Sequence, residues 1–258
     1  MKLGVNIDHI CVLRNARAVN DPDILAAMQT AIFAGADQIT IHLREDRRHI
    51  DENDAKNIVE FSKIPVNIEC SVNADIIDII STLKPHRATI VPERREELTT
   101  EGGLNTSISG LKEAIEKLKA SGIEVSLFIE PNAKEIEKTA QLGCEFVEFH
   151  TGKFANIFLM LNSNLKHTKF SIKEFELEKN ELKILLDNEI KRLKNSAKLA
   201  KDLGLNVAAG HGLNYQNTEI IAKIDDIIEL NIGQSIIARS VFCGLGQAIK
   251  DMKKIIDI

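Results

Sequence analysis

Short runs of β-branched and aliphatic residues recur along the whole chain. They predict strands at 3–8 (LGVNID), 38–43 (QITIHL), 66–71 (VNIECS), 87–92 (RATIVP), 125–130 (VSLFIE), 146–151 (FVEFHT), 206–212 (NVAAGHG) and 227–233 (IIELNIG). The segments between them place apolar residues at helical spacing. Asp21-Pro22 reads as an N-cap and first-turn proline ahead of DILAAMQTAIF, while Asn73 and Asn132 open two further helices. The phrases FAGAD, ASGIE, QLGCE and DLGLN each put a glycine at a helix end just before the next strand. Strand, helix, glycine, strand, repeated to eight strands, predicts an α/β chain folded as a (β/α)8 TIM barrel with extra helices. A doubly wound open sheet is the alternative, but strand one runs into Asp8-His9 and not into a glycine-rich fingerprint.

Within the strands the alternation is unusual. Ile39, Ile41 and Leu43 can face the helices, which leaves Thr40, His42 and Arg44 inside the barrel. The same parity puts Asn67, Glu69 and Ser71, then Glu148 and His150, then Glu229, Asn231 and Gly233 on the inner face. A barrel interior is normally packed with apolar side chains, so these groups need partners or a task. Deep in the strands (Asn67, Glu148, Glu229) hydrogen-bonded networks are the expected reading. At the C-terminal strand ends, where barrel active sites form, Asp8, His42, Glu69 and His211 are candidates for chemistry.

Length and composition keep this picture and narrow it. The chain has 258 residues, 44% apolar and 28% charged, with a formal net charge of −5, which excludes a general basic field for nucleic acid or anionic membrane. An anionic ligand therefore needs a local cluster of donors. The four cysteines, Cys11, Cys70, Cys144 and Cys243, have neither CxxC nor zinc spacing, which suits a reducing, cytoplasmic setting. No apolar stretch approaches the roughly 20 residues that span a bilayer, and no signal segment is expected. Residues 1–258 read as one barrel domain with a polar, glycine-containing loop at 93–106, suited to a lid. An insertion at about 152–180 follows strand six and leads into a long helix ending near 202.

Four places could carry chemistry. Asn6-Ile7-Asp8-His9 ends strand one with a carboxylate beside an imidazole; HLREDRRH, residues 42–49, combines His42, Arg44 and His49 at and beyond the end of strand two. Glu69, next to His42 on the adjoining strand, is either a general base or an ion-pair partner of Arg44. AAGHGL (208–213) and NIGQSIIARS (231–240) put glycines at two strand ends and a helix N-terminus after Gly233, the usual barrel arrangement for phosphate. Metal-dependent barrel hydrolases carry HxH on strand one and an aspartate on strand eight; here those strands end NIDH and NIG, so no metal site is expected.

The blocks NIDHICVLRNAR, ITIHLREDRRHI, NIECSV, VPERREELTTEGGL, VSLFIE, FHTG, AGHGL and ELNIG resemble, in order, those of the pyridoxine 5′-phosphate synthase family of vitamin B6 biosynthesis. The resemblance implies a homo-octamer that works without cofactor. It would condense 1-deoxy-D-xylulose 5-phosphate with 3-amino-2-oxopropyl phosphate to pyridoxine 5′-phosphate, phosphate and water. It implies contacts to the amino ketone from Asn6, Arg17 and Gly212, with Gly233 and Gln234 forming the phosphate cradle. Asp8, His9, Arg44, His49 and Thr99 would contact the deoxyxylulose phosphate, and His42, Glu69 and His211 would be the acid/base residues. Glu69 is then the principal base, His42 a second base and His211 a proton donor. Two departures stand out. Gln234 replaces the histidine of the family's Gly-His pair, so charge is lost from the cradle, and the 152–180 insertion is longer than the pattern. A barrel hydrolase, a sugar-phosphate isomerase and a non-catalytic phosphate sensor are the competing functions.

Overall fold

A computed structural model of the chain describes residues 1–93 and 102–257. Eight parallel strands close into a barrel, each hydrogen-bonded to its sequence neighbours and β8 back to β1. The strands are β1 (Lys2–Asn6), β2 (Gln38–His42), β3 (Val66–Cys70), β4 (Arg87–Ile90), β5 (Glu124–Ile129), β6 (Phe146–His150), β7 (Asn206–Gly210) and β8 (Glu229–Ile232). All eight expected strands are present, most ending a residue or two early. The difference matters at β1. Asp8, expected in the strand, is the first residue of helix α1 (Asp8–Arg17), because the chain turns at Ile7.

Single helices α3 (Glu52–Phe61), α4 (Ala74–Leu83), α5 (Leu111–Ala120), α6 (Ala133–Gln141) and the short α9 (Thr218–Ala222) make five of the connections. The others carry two helices each: α1 with α2 (Ile24–Phe33), α7 (Gly152–Asn162) with α8 (Lys179–Asp202), and α10 (Gln234–Cys243) with α11 (Leu245–Ile256). The 152–180 segment is thus not irregular. Its first part is α7, which packs on α8, and the rest contains two 3₁₀ turns, Leu165–His167 and Lys173–Phe175. Asn73 and Asn132 cap their helices as expected. At the second helix the cap is Asp23, which accepts from the Ala26 amide, and not Asp21. The first turn begins after Asp23, so Pro22 lies outside the helix.

The core is the ring between strands and helices. Leu3, Val5, Ile39, Ile41, Ile68, Leu127, Val147 and Leu230 point outward from the strands and are fully buried beneath the helices. At about 1.5–3 kcal/mol per buried aliphatic side chain, this layer supplies much of the driving force for closure. The inner face is polar, as the alternation predicted, and hydrogen bonds link many of its deeper groups. Arg87 Nη1 donates to Glu229 Oε1 at 2.7 Å, and Gln38 Nε2 donates to the same oxygen at 3.1 Å. Asn231 Nδ2 donates to Glu148 Oε2 at 2.8 Å, and Thr89 Oγ1 to Asn67 Oδ1 at 2.9 Å. The Arg87 guanidinium also lies 3.4 Å over the Phe146 ring. Gly4 makes room for this layer, since a Cβ there would collide with Asn231 Oδ1. Among the described residues no helix is long and apolar enough to cross a membrane.

Candidate active site

Because all strands run the same way, their C-terminal ends converge on one mouth, and a cavity of about 400 Å³ opens there. It brings together Asn6, Asp8, His9, His42, Arg44, His49, Glu69, His211, Gly212, Gly233 and Gln234. Eleven of the expected site residues, distant in sequence, therefore line one space. Two do not. Arg17 is exposed at the far end of α1, because ten helical residues at about 1.5 Å each carry it away from the strand end. Thr99 and most of the 93–106 loop lie outside the described residues.

The floor is set by β1 to β3. His42 and Glu69 are paired in register on adjacent strands, with His42 Nδ1 3.7 Å from Glu69 Oε2. On the other side of the ring, His42 Nε2 is 3.5 Å from Glu93 Oε2, so the imidazole stands between two carboxylates. Both oxygens of Asp8 accept the His42 backbone amide, at 3.0 and 3.1 Å. Asn6 holds this corner: its Oδ1 accepts the Asp8 amide at 2.9 Å, and its polar side chain favours the ionised form of Glu69. Burial lifts the Glu69 carboxyl well above its ordinary range, and the charges of Glu148 and Asp8 lift it further. Glu148 is itself raised, by burial first, to about 7. A carboxyl raised in this way holds a proton more tightly, which makes its ionised form the stronger base.

Arg44 answers the alternative reading of Glu69. Its Nε lies 3.6 Å from Asp46 and 3.6 Å from Glu93, and no ion pair joins it to Glu69. Arg44 is 5% exposed, yet among the described residues its Nε and Nη2 find no hydrogen-bond partner. Unsatisfied guanidinium donors facing a cavity are costly unless an anion completes them. Nearby, the rings of His9 and His49 stand 6.2 Å apart, and burial, aided by His9 and Arg44, pulls His49 down to about 4. It is thus a neutral donor near neutral pH.

The other wall comes from β7 and β8. His211 has φ 80° and Gly212 φ 76°, so the turn after β7 is left-handed at a non-glycine residue, a local cost of about 1–3 kcal/mol. It is held by Thr151, whose hydroxyl lies 2.6 Å from the carbonyl oxygens of Gly210 and His211, and by Asn217 Nδ2, which donates to Gly212 O at 3.2 Å. Burial pulls His211 down to about 4, with His150 adding to the effect. Gly233 caps α10 without any side-chain hydrogen bond, and a Cβ on it would lie 2.8 Å from the Asn6 Cβ. The first amides of α10 therefore meet the cavity beside Gln234 and Ser235, an anion-binding end.

Two groups escaped the sequence reading. Glu93, against burial, is held below the usual carboxylate range by His42, the Glu45 amide and Arg44; only its place after β4 hinted at this. His150 shared the inward parity, but its partner Glu130, 2.7 Å away, follows β5 and could not be matched to it from spacing. Among the described residues no group of three or more His, Cys, Asp or Glu side chains could hold a metal ion.

Known proteins share the fold and much of the sequence. Solved barrels give the fold alone: phosphoribosylanthranilate isomerase from Thermotoga maritima aligns over 100% of this chain and 98% of its own, with TM-score 0.54 at 12% identity. The tryptophan synthase A-subunit from Pyrococcus furiosus aligns over 98% and 97%, with TM-score 0.57 at 11% identity. Sequence relatives are much closer. A pyridoxine 5′-phosphate synthase from Campylobacter fetus subsp. fetus is 61% identical over 99% of this chain and 100% of its own. One from Aliarcobacter butzleri is 62% identical over 99% of each. The family model described as pyridoxal phosphate biosynthesis protein PdxJ matches residues 3–258, and the chain belongs to that family.

Proposed function

We infer that this enzyme makes pyridoxine 5′-phosphate by joining 1-deoxy-D-xylulose 5-phosphate to 3-amino-2-oxopropyl phosphate, releasing phosphate and water. The observation that carries the reading is one cavity in which two anion-binding walls flank a carboxylate and imidazole cluster. The amine must attack the sugar ketone, water and phosphate must leave, a carbanion must close the ring, and a last dehydration makes it aromatic. Each step moves a proton and none changes oxidation state, so positioned acids, bases and anion sites suffice.

In this assignment Arg44, His9 and His49, with Asp8 and Thr99, hold the deoxyxylulose phosphate. Asn6 and Gly212 contact the amino ketone, and the α10 N-terminus with Gly233 and Gln234 cradles its phosphate. Gln234 adds a neutral donor where a histidine would add charge, which leaves the helix end and its amides as the main electrostatic support. Glu69, its carboxyl raised by burial, takes protons from carbon, and His42, between Glu69 and Glu93, is the second base. Burial alone keeps His211 neutral; a phosphate dianion beside it favours the imidazolium and arms it as the acid. Residues 1–258 act as one barrel unit that assembles into a homo-octamer and works in the cytoplasm, without cofactor.

Purified enzyme given both substrates should produce the aromatic absorbance of pyridoxine 5′-phosphate together with inorganic phosphate. Turnover of either substrate alone would favour an isomerase or hydrolase, and binding without turnover a sensor. Light scattering on the same preparation reads the octamer.

A further inference from the structure

Beside His211 lies a second buried imidazole to which the proposed chemistry gives no task. His150 ends β6 and is 8% exposed. Its Nδ1 is 2.7 Å from Glu130 Oε1, while its Nε2 is buried and has no hydrogen-bond partner among the described residues. The ring centres of His150 and His211 stand 4.9 Å apart at 50°. At that separation a turn of either ring brings facing nitrogens to hydrogen-bond distance, about 2.8 Å. Gly152 keeps the gap open: a Cβ there would lie 2.6 Å from His150 Nε2 and 3.0 Å from the His211 ring. Its φ is not positive, so the space, and not the backbone, calls for glycine.

Glu130 is built to stay charged. Burial would lift its carboxyl, but the hydrogen bond with His150 and the charge of Arg192 hold it below the ordinary range. Arg192 on α8 reaches Glu130 Oε2 at 3.5 Å and is itself held by Glu189 at 2.5 Å. An ionised Glu130 takes the Nδ1–H of His150, which leaves a lone pair on Nε2, facing His211.

We propose that His150, oriented by Glu130, is a positioning residue for His211, accepting one N–H of the His211 imidazolium so that the other is aimed at the substrate. This rests on His211 being the proton donor of the reaction. As His211 gives its proton to the departing oxygen, the bond to His150 persists and Glu130 stays ionised, so no net proton passes through His150. The arrangement lets a deeply buried imidazole become cationic without an unsatisfied N–H.

The variants His150→Phe and His150→Gln separate this from packing. Phenylalanine keeps the ring against Phe128, 5.3 Å away in the native pair, but offers no lone pair. Glutamine loses the ring yet can donate to Glu130 and accept from His211. The expected result is kcat down roughly 10²-fold in His150→Phe with KM for both substrates changed little, and about tenfold recovery in His150→Gln. Phe tolerated better than Gln, or a normal kcat in His150→Phe, overturns the proposal. Ser196→Ala, which removes a 2.9 Å bond from α8 to the Pro131 carbonyl, loosens the same region without touching His150 and should keep native kcat. A second measurement needs no variant. Nitrogen-15 imidazole shifts of the native enzyme with inorganic phosphate should show neutral His150 protonated at Nδ1, and protonation at Nε2 overturns the idea. His211→Gln completes the set. If it turns over normally, the donor role of His211 fails; if it is inactive while His150→Phe is normal, only the role of His150 fails.

Discussion

Glu69→Gln removes a proton acceptor while preserving the shape of the side chain and one carbonyl oxygen. Its effect on stability follows from the surroundings. Among the described residues the ion-pair partner of Glu69 is the His42 imidazole, with Nδ1 at 3.7 Å, and Arg44 is engaged with Asp46 and Glu93 instead. No buried guanidinium is stranded by the change, so the loss of about 3–5 kcal/mol that follows breaking a buried ion pair is not expected. The sign is opposite. The folded-state pKa of Glu69 lies above its ordinary 4.5, so the folded protein binds a proton more tightly than the unfolded chain. That stability is fully present below 4.5 and is lost as pH rises through the folded value, by about 1.4 kcal/mol for every tenfold difference in proton affinity between the two states. Glutamine carries no such penalty. At pH 8 the variant should melt at or above the native temperature, and its stability should fall less between pH 5 and pH 8. Turnover should fall by roughly 10²- to 10⁴-fold, equivalent to about 2.7–5.4 kcal/mol in the barrier. Thermal melts at both pH values and single-turnover absorbance measurements read the two quantities on one sample. A drop of about 6–12 °C at pH 8, the scale of a 3 kcal/mol loss in a chain of this size, would refute the electrostatic argument. Near-native turnover per folded molecule would remove Glu69 from the chemistry.

Millimolar inorganic phosphate should raise the melting temperature of the native enzyme through linkage, and Arg44→Met should lose more than roughly half of that gain because its Nε and Nη2 donors are free to take an anion. A flat native response would mean that the cavity is not an anion site. In the barrel interior, Arg87→Met leaves the Glu229 carboxylate buried without its cation and should cost about 3–5 kcal/mol in denaturant unfolding, with Arg87→Met/Glu229→Gln recovering most of it. Equal losses in the single and double variants would show that the charge pair is not the cause. Catalysis should survive exhaustive chelation, since the proposed chemistry is proton transfer; inactivation by EDTA with recovery on adding a divalent ion would contradict that.

Periodicity along the chain was enough to read eight strands and the polar inner face, because side-chain parity in a strand is a local property. The blocks HLREDRRHI and AGHGL likewise carried the family and most of the lining residues, since each is contiguous and sits at a strand end. What parity could not supply was the partner of each inward group. Glu69 offered itself equally to Arg44 and to catalysis until closure of the barrel turned Arg44 toward Glu93, a residue two strands further on. Asp8 looked like a strand residue, yet the turn at Ile7 sends it to the β2 amide of His42. Glu130 and His150 meet only because β5 and β6 end side by side, and Glu148 finds Asn231 across the interior. Local pattern determines which residues face inward, since that depends on the backbone repeat. Pairing and protonation depend on distances between segments far apart in sequence and on how completely water is excluded, and both arise only when the barrel closes.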